Sequence, residues 1–287
     1  MLSEIFKLFW KTVERKDARR INSQTPPTEI EQFCDIQYID DGLWQHRLDV
    51  YSKSGKLSHR PVIIDIHGGG WMYGTKEINK NYCLVLAQND YVVVNINYRL
   101  APDFSVADQL RDCFFAFKWV STNIEKYGGD LNNVFVTGDS AGGFLAAYSA
   151  LLNSSDKLRK VFGVTESGLE FRACGLTSPV CFMNTHTFQD VYYSRVKGKE
   201  FSESTLRGFE NFDAVLNKGS MPPTFLVTSS GDAVGRLPTI KMYNLLCGEG
   251  VKCKLENRDK YNGKNLPHVF SCLLYTSPSP RDKRQSR

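Results

Sequence analysis

Gly138-Asp139-Ser140-Ala141-Gly142 follows the apolar run 133–137 and precedes a helical stretch of small residues, 143–152. Strand, sharp turn and helix with a serine at the apex is the setting in which G-x-S-x-G forms a nucleophile elbow. A serine in a strained turn of positive φ brings strand and helix backbones so close that a Cβ at Gly138 or Gly142 would clash. The glycines are thus mechanical requirements, and they leave Ser140 held out at the C-terminal edge of a sheet.

A second motif lies upstream. His67-Gly68-Gly69-Gly70-Trp71 closes another apolar run, 61–66, where acyl-transfer enzymes with such an elbow keep the oxyanion loop. Consecutive glycines let bare backbone N–H groups turn toward one point. Donors from Gly68, Gly69 and Gly70, together with the Ala141 N–H at the start of the helix after Ser140, can surround an oxygen that becomes negative in a tetrahedral intermediate.

With these motifs in place, the chain resembles the hormone-sensitive-lipase-like carboxylesterases of the α/β-hydrolase fold. The resemblance runs from about Leu48 to His268. It includes Leu48-Asp49-Val50-Tyr51, the His67 to Trp71 loop, Tyr98-Arg99-Leu100-Ala101-Pro102 and the serine elbow with Asp139 and Ala141. It implies a doubly wound, mostly parallel sheet, a Ser, Asp, His triad and a helical cap over the acyl pocket.

In such folds the acid and then the histidine follow the serine. Two histidines do so, His186 and His268. The apolar run 223–228 reads as a strand ending in Ser229-Ser230-Gly231-Asp232, which puts Asp232 at the same sheet edge as Ser140. A further strand, 251–255, leads through a polar loop to His268. Ser140, Asp232 and His268 are therefore the expected triad, with Asp213 and Asp259 as rival acids that follow no predicted strand. The resembling family usually has Pro and Leu after this acid and Gly after the histidine, whereas Ala233, Val234 and Val269 stand here. Asp139 and His67 are expected to brace the site rather than to react. Trp71 and Tyr73 either line the acyl pocket or pack against the loop.

Strands are expected at 36–39, 47–51, 61–66, 91–97, 133–137, 171–176, 223–228 and 251–255. Eight strands with helices between them give an α/β-hydrolase sheet with helices on both faces. One domain over 1–271 accommodates this, since 41% hydrophobic residues supply a large core. Leu2, Ile5, Phe6, Phe9 and Val13 fall on one face of an N-terminal helix. In line with the resemblance, residues 1–30 and the aromatic segment 179–221 (Phe182, Phe188, Tyr192, Tyr193, Phe201, Phe209, Phe212) are expected to form the cap.

The net charge of +5 is mild, and its basic ends do not alternate with aromatics, so nucleic acid is not an expected partner. Glu4 and Lys7 interrupt the one apolar N-terminal stretch, which reads neither as a signal peptide nor as a membrane span. Eight cysteines show no C-x-x-C and no metal-ligand spacing, so neither metal nor cofactor is expected. Free thiols in a reducing, cytoplasmic compartment fit them best. From Cys272 onward the periodicity stops, and Cys272 to Asp282 resembles the translation of a sequencing-library adapter. Residues 272–287 are therefore expected to be a non-native tail, with the last helix of the family missing.

The combined expectation is a serine carboxylesterase acting on a small, short-acyl ester through an acyl-enzyme. Three alternatives share parts of the pattern: an arylformamidase-type amidase, an acetyl or feruloyl esterase acting on plant polysaccharide, and a hydrolase fold turned into a small-molecule receptor. The last would be expected to lose a triad member.

Overall fold

The computed structural model describes residues 2–55, 59–187, 189–203, 206–261 and 263–273. Eight strands form one sheet: β1 (Ile30–Gln37), β2 (Arg47–Lys53), β3 (Arg60–Ile66), β4 (Val92–Ile96), β5 (Gly129–Asp139), β6 (Phe171–Thr177), β7 (Thr224–Ser229) and β8 (Cys253–Arg258), in the order β1-β2-β4-β3-β5-β6-β7-β8. β2 runs antiparallel to both β1 and β4, and every other pairing in this sheet is parallel. A short hairpin, β9 (Lys260–Tyr261) with β10 (Lys264–Asn265), follows β8.

The helices are α1 (Leu2–Asn22), α2 (Lys80–Gln88), α3 (Val106–Asn123), α4 (Ser140–Asn153), α5 (Asp156–Phe162), α6 (Gln189–Glu203), α7 (Asp213–Leu216), α8 (Arg236–Gly248) and α9 (Phe270–Leu273). They cover both faces of the sheet, as the alternation along β4 makes plain. Val92, Val94 and Ile96 join the large core with α3 and α4, while Val93 points the other way, into a smaller cluster with Cys83, Leu84 and Ala87 of α2. A strand covered on both faces reads as an unbroken apolar run, which is why β3, β4 and β5 are legible in sequence.

The edge strands depart from expectation. β1 spans Ile30–Gln37 rather than 36–39, because only Ile30 along it is buried and its polar residues carry no apolar signal. Main-chain pairing to β2 defines it, with a bulge between Phe33 and Ile36 where Asp35 adopts φ 57. β8, at the opposite edge, starts two residues later than expected and continues to Arg258 for the same reason.

α1 also docks on a different stripe. Phe9, placed on the inward face by periodicity, is 56% exposed. Phe6 and Val13 dock as expected, joined by Trp10, Asp17 and Arg20 rather than Phe9, because Trp10 stacks on Tyr73 at 5.3 Å and sets the rotation of the helix. The side chains of Leu2 and Ile5 lie outside the described residues. In the segment 179–221, Phe182, Phe201 and Phe212 are buried, and Phe201 and Phe212 meet Phe162 and Tyr148 edge-on. Phe188 lies outside the described residues.

The last described element is α9, which holds the first two residues of the segment expected as a non-native tail. Cys272 is buried in α9, and the Leu273 carbonyl accepts a hydrogen bond from Gln24 Nε2 at 3.1 Å. Residues 274–287 lie outside the described residues. Among the described residues no helix is long and apolar enough to cross a membrane.

Candidate active site

Ser140 stands at φ 52, in the left-handed region, where β5 turns into α4. The turn is possible because α4 crosses close over the end of β3. An ideal Cβ on Gly142 would lie 2.0 Å from the Ile66 carbonyl oxygen. Only glycine tolerates that approach.

Ser140 Oγ lies 2.9 Å from His268 Nε2, and His268 Nδ1 lies 2.9 and 3.0 Å from the two carboxylate oxygens of Asp232. In the tautomer this network selects, Nδ1–H donates to Asp232 and Nε2 accepts from the serine hydroxyl. Asp232 is buried, and its Oδ1 also accepts the N–H groups of Val234 at 3.0 Å and Gly235 at 2.7 Å. Burial pushes its carboxyl up, but the His268 ring and these backbone donors outweigh burial and hold it well below the usual carboxylate range. Three residues from widely separated loops thus meet at one sheet edge.

The rival residues are elsewhere. Asp213 pairs with Lys241 at 3.6 Å, and Asp259 offers its carbonyl to the Ser230 hydroxyl. The His186 backbone N–H donates to Asp190 just ahead of α6.

The glycine loop arrives beside Ser140, with one correction. The Gly68 N–H donates to Asp139 Oδ1 at 3.0 Å, so it is not available to a substrate oxygen. Gly69, at φ 110, and Gly70, at φ 58, line the same cavity as Ser140 and His268. The Ala141 N–H belongs to the first turn of α4, whose N–H groups have no intrahelical acceptor. Asp139 makes no side-chain cap bond there. Its carboxylate is turned instead toward Gly68 and toward Asn79 Nδ2, at 2.7 Å.

Asn79 Nδ2 also donates to Asp65 Oδ2 at 2.9 Å, bridging two buried carboxyls beneath the elbow. Burial and the neighbouring Asp139 push Asp65 up to about 7, and burial likewise raises Asp139. The sequence does flag Asp65, an acid inside an apolar strand, but nothing marks Asn79. His67 is buried, and burial pulls its ring down to about 4 against the pull of its hydrogen bond to the Gly68 carbonyl. A neutral ring that donates Nδ1–H to Gly68 O at 2.7 Å shapes the loop. Tyr98 holds the loop from below, stacking on His67 and donating to its carbonyl at 2.8 Å. Trp71 packs edge-on against Phe144 and Tyr193, whereas Tyr73 lines the cavity.

Residues 48–194, from β2 into α6, match the model of the BD-FAE family. The chain belongs to the BD-FAE family of α/β-hydrolases. Esterase B from Lactobacillus Rhamnosis (HN001) is similar over 99% of this chain and 91% of its own, at 27% identity and a TM-score of 0.89. A second structure of that esterase, inhibited with a C4-C4 SN3 tributyrin phosphonate, has a TM-score of 0.90 at 28% identity. The isoprenylcysteine alpha-carbonyl methylesterase of Arabidopsis thaliana is 28% identical over 237 residues, 79% of this chain and 55% of that protein. Carboxylesterase NlhH of Mycobacterium tuberculosis is 34% identical over 145 residues, 49% of this chain and 45% of that one. This BD-FAE chain spans about half the length of these two curated relatives.

The cavity of this BD-FAE protein measures about 250 Å³. Its floor is Ser140, His268, Gly69 and Gly70, and α1 closes it from above with Trp10, Val13, Asp17 and Arg20. α6 meets α1 over the glycine loop, where Tyr192 packs edge-on against Phe6 and donates its hydroxyl to the Gly70 carbonyl. Of these α1 residues only Phe6 and Val13 stand out in the sequence, because contact across the cavity, not periodicity, selects Trp10, Asp17 and Arg20.

Proposed function

We propose that this protein is a serine carboxylesterase that hydrolyses small, short-acyl esters through an acyl-enzyme intermediate. The observation that carries the proposal is the continuous hydrogen-bonded line from Asp232 through His268 to Ser140. Ser140 attacks the ester carbonyl while His268 Nε2 takes its proton. The carbonyl oxygen becomes an oxyanion, received by the N–H groups of Gly69, Gly70 and Ala141. Each such donor is typically worth roughly 10²–10³ in rate. His268 then returns the proton to the leaving alcohol. Water, activated by the same ring, releases the acid. Asp232 stays ionised throughout, fixing the tautomer and stabilising the imidazolium. Asp139 and His67 hold the loop and take no proton. No cofactor enters any step.

The space at the site supports a small substrate. A cavity of about 250 Å³ lies below the ~300–1,000 Å³ common for ligand pockets, which favours a small acyl group and a small alcohol. The bound tributyrin phosphonate of the related esterase B is in keeping with this. In the same proposal residues 1–271 form one hydrolase domain, with residues 1–30 and 179–221 as its cap. α1 over Ser140 supports it.

Turnover of p-nitrophenyl acetate, butyrate, octanoate and palmitate, beside a formanilide, tests the reading. Activity highest on acetate or butyrate and negligible on the formanilide is expected. Preference for the formanilide would make the protein an amidase, and no turnover of any substrate would remove the enzymatic reading.

A further inference from the structure

We propose that Cys247 and Cys253 form a dithiol that closes reversibly to a disulfide, a modification site remote from Ser140. Cys247 is the penultimate residue of α8 and is exposed, and Cys253 is the first residue of β8 and is half-buried. Their sulfurs are in direct contact, Sγ to Sγ at 2.9 Å. The chain between them holds them there. It turns through Gly250 at φ 74, the Gly250 N–H donates to the Cys247 carbonyl at 3.1 Å, and the Val251 N–H donates to the Leu246 carbonyl at 2.9 Å.

No other pair competes. Cys83, Cys113, Cys174, Cys181 and Cys272 are buried away from any oxidant, and Cys34, though exposed, lies on β1 at the opposite edge of the sheet. Cys34 thus serves as an internal comparison, an accessible thiol on the other side of the molecule.

The co-reactant is a low-molecular-weight disulfide such as oxidised glutathione. The exposed Cys247 reacts first, since burial and the adjacent Cys247 sulfur push Cys253 up to about 11. The Cys247 thiolate attacks one glutathione sulfur, the glutathione S–S bond breaks, and one glutathione leaves as thiolate. The Cys253 thiolate then attacks Cys247 Sγ and expels the second glutathione. The protein loses two protons and two electrons, and two reduced glutathiones carry them away. Reduced glutathione in excess reverses both steps. The bond would tie α8, which follows Asp232, to β8, whose chain leads on to His268. The loop closed is short, so the bond stabilises the fold less than one closing a long loop would.

The test uses the full chain, reduced, then equilibrated in glutathione buffers from fully reduced to fully oxidised, acid-quenched, alkylated and digested with trypsin. Lys252 lies between the two cysteines, so cleavage after it leaves their peptides joined only through a disulfide. The expected result is the joined species at oxidising ratios, its release by excess reduced glutathione, and Cys34 carrying only a glutathione adduct. Cys247→Ser, at an exposed position, should abolish the joined species. Recovery of Cys247 and Cys253 as separately alkylated or separately glutathionylated peptides at every ratio, including oxidised glutathione alone, would overturn the proposal.

Discussion

Asp232→Asn isolates the contribution of the acid. Asp232 Oδ1 receives the Val234 and Gly235 N–H groups at 3.0 and 2.7 Å, so the amide oxygen of an asparagine must take that position. Its NH2 then occupies the Oδ2 site, 3.0 Å from His268 Nδ1 and 3.3 Å from the Thr228 hydroxyl. The amide oxygen, 2.9 Å from Nδ1, can still accept its N–H, but the NH2 beside it repels that proton and the neutral amide no longer stabilises the imidazolium. The ring then takes the serine proton poorly. The corresponding change in another serine hydrolase costs about 10⁴ in kcat, which at about 1.36 kcal/mol per decade is roughly 5.5 kcal/mol of barrier. Stability changes too, with a definite sign. A native carboxyl held below its unfolded value stabilises the fold above the unfolded pKa of about 3.9, and that contribution disappears as pH falls through the native value. The asparagine variant should therefore melt below the parent at pH 7, and the gap should shrink at acid pH. Measuring kcat on p-nitrophenyl acetate at pH 7, with Tm by circular dichroism from pH 3 to 8, checks both. A loss of tenfold or less in a folded variant would refute the reasoning and reopen Asp213 and Asp259.

Ser140→Ala should abolish ester hydrolysis and leave the circular dichroism spectrum and Tm nearly unchanged, because the hydroxyl contributes little packing. Gly142→Ala should destabilise the fold, since its Cβ would meet the Ile66 and His67 carbonyl oxygens at 2.0 and 2.4 Å. Overpacking of this kind costs about 1–3 kcal/mol, read as a lower urea midpoint. Asp65, pushed up to about 7 by burial and by Asp139, binds a proton more tightly in the folded state. The parent should accordingly lose stability as pH rises from about 4 toward 7, while Asp65→Asn, which keeps an acceptor for Asn79, should show a flatter profile and the higher Tm at pH 8.

What was legible in the sequence is what local covalent constraint or double burial imposes. The elbow could be read because Gly138 and Gly142 have no substitute at their distances from neighbouring backbone. Strands β3, β4 and β5 could be read because helices cover both of their faces. Asp232 and His268 could be placed from strand ends and chain order alone, though their neighbours Ala233, Val234 and Val269 depart from the usual pattern. What was not legible depends on contacts between distant segments. Gly68 looks identical to Gly69 and Gly70 in sequence, but Asp139, a residue of another strand, claims its N–H. Asn79 has no motif and acts only because it bridges Asp65 and Asp139. Phe9 has the right spacing for the inner face of α1, yet the Trp10 stack on Tyr73 rotates it outward. The edge strands β1 and β8 were misplaced at their ends because main-chain pairing, not apolar side chains, holds them.

Covalent trapping of the nucleophile tests the central claim most directly. Incubation with a p-nitrophenyl butylphosphonate should release one equivalent of p-nitrophenol per chain, abolish ester hydrolysis and leave a single adduct that tryptic mapping assigns to Ser140, with no adduct in Ser140→Ala. Continued hydrolysis without an adduct, or an adduct on any other residue accompanied by loss of activity, would contradict the account.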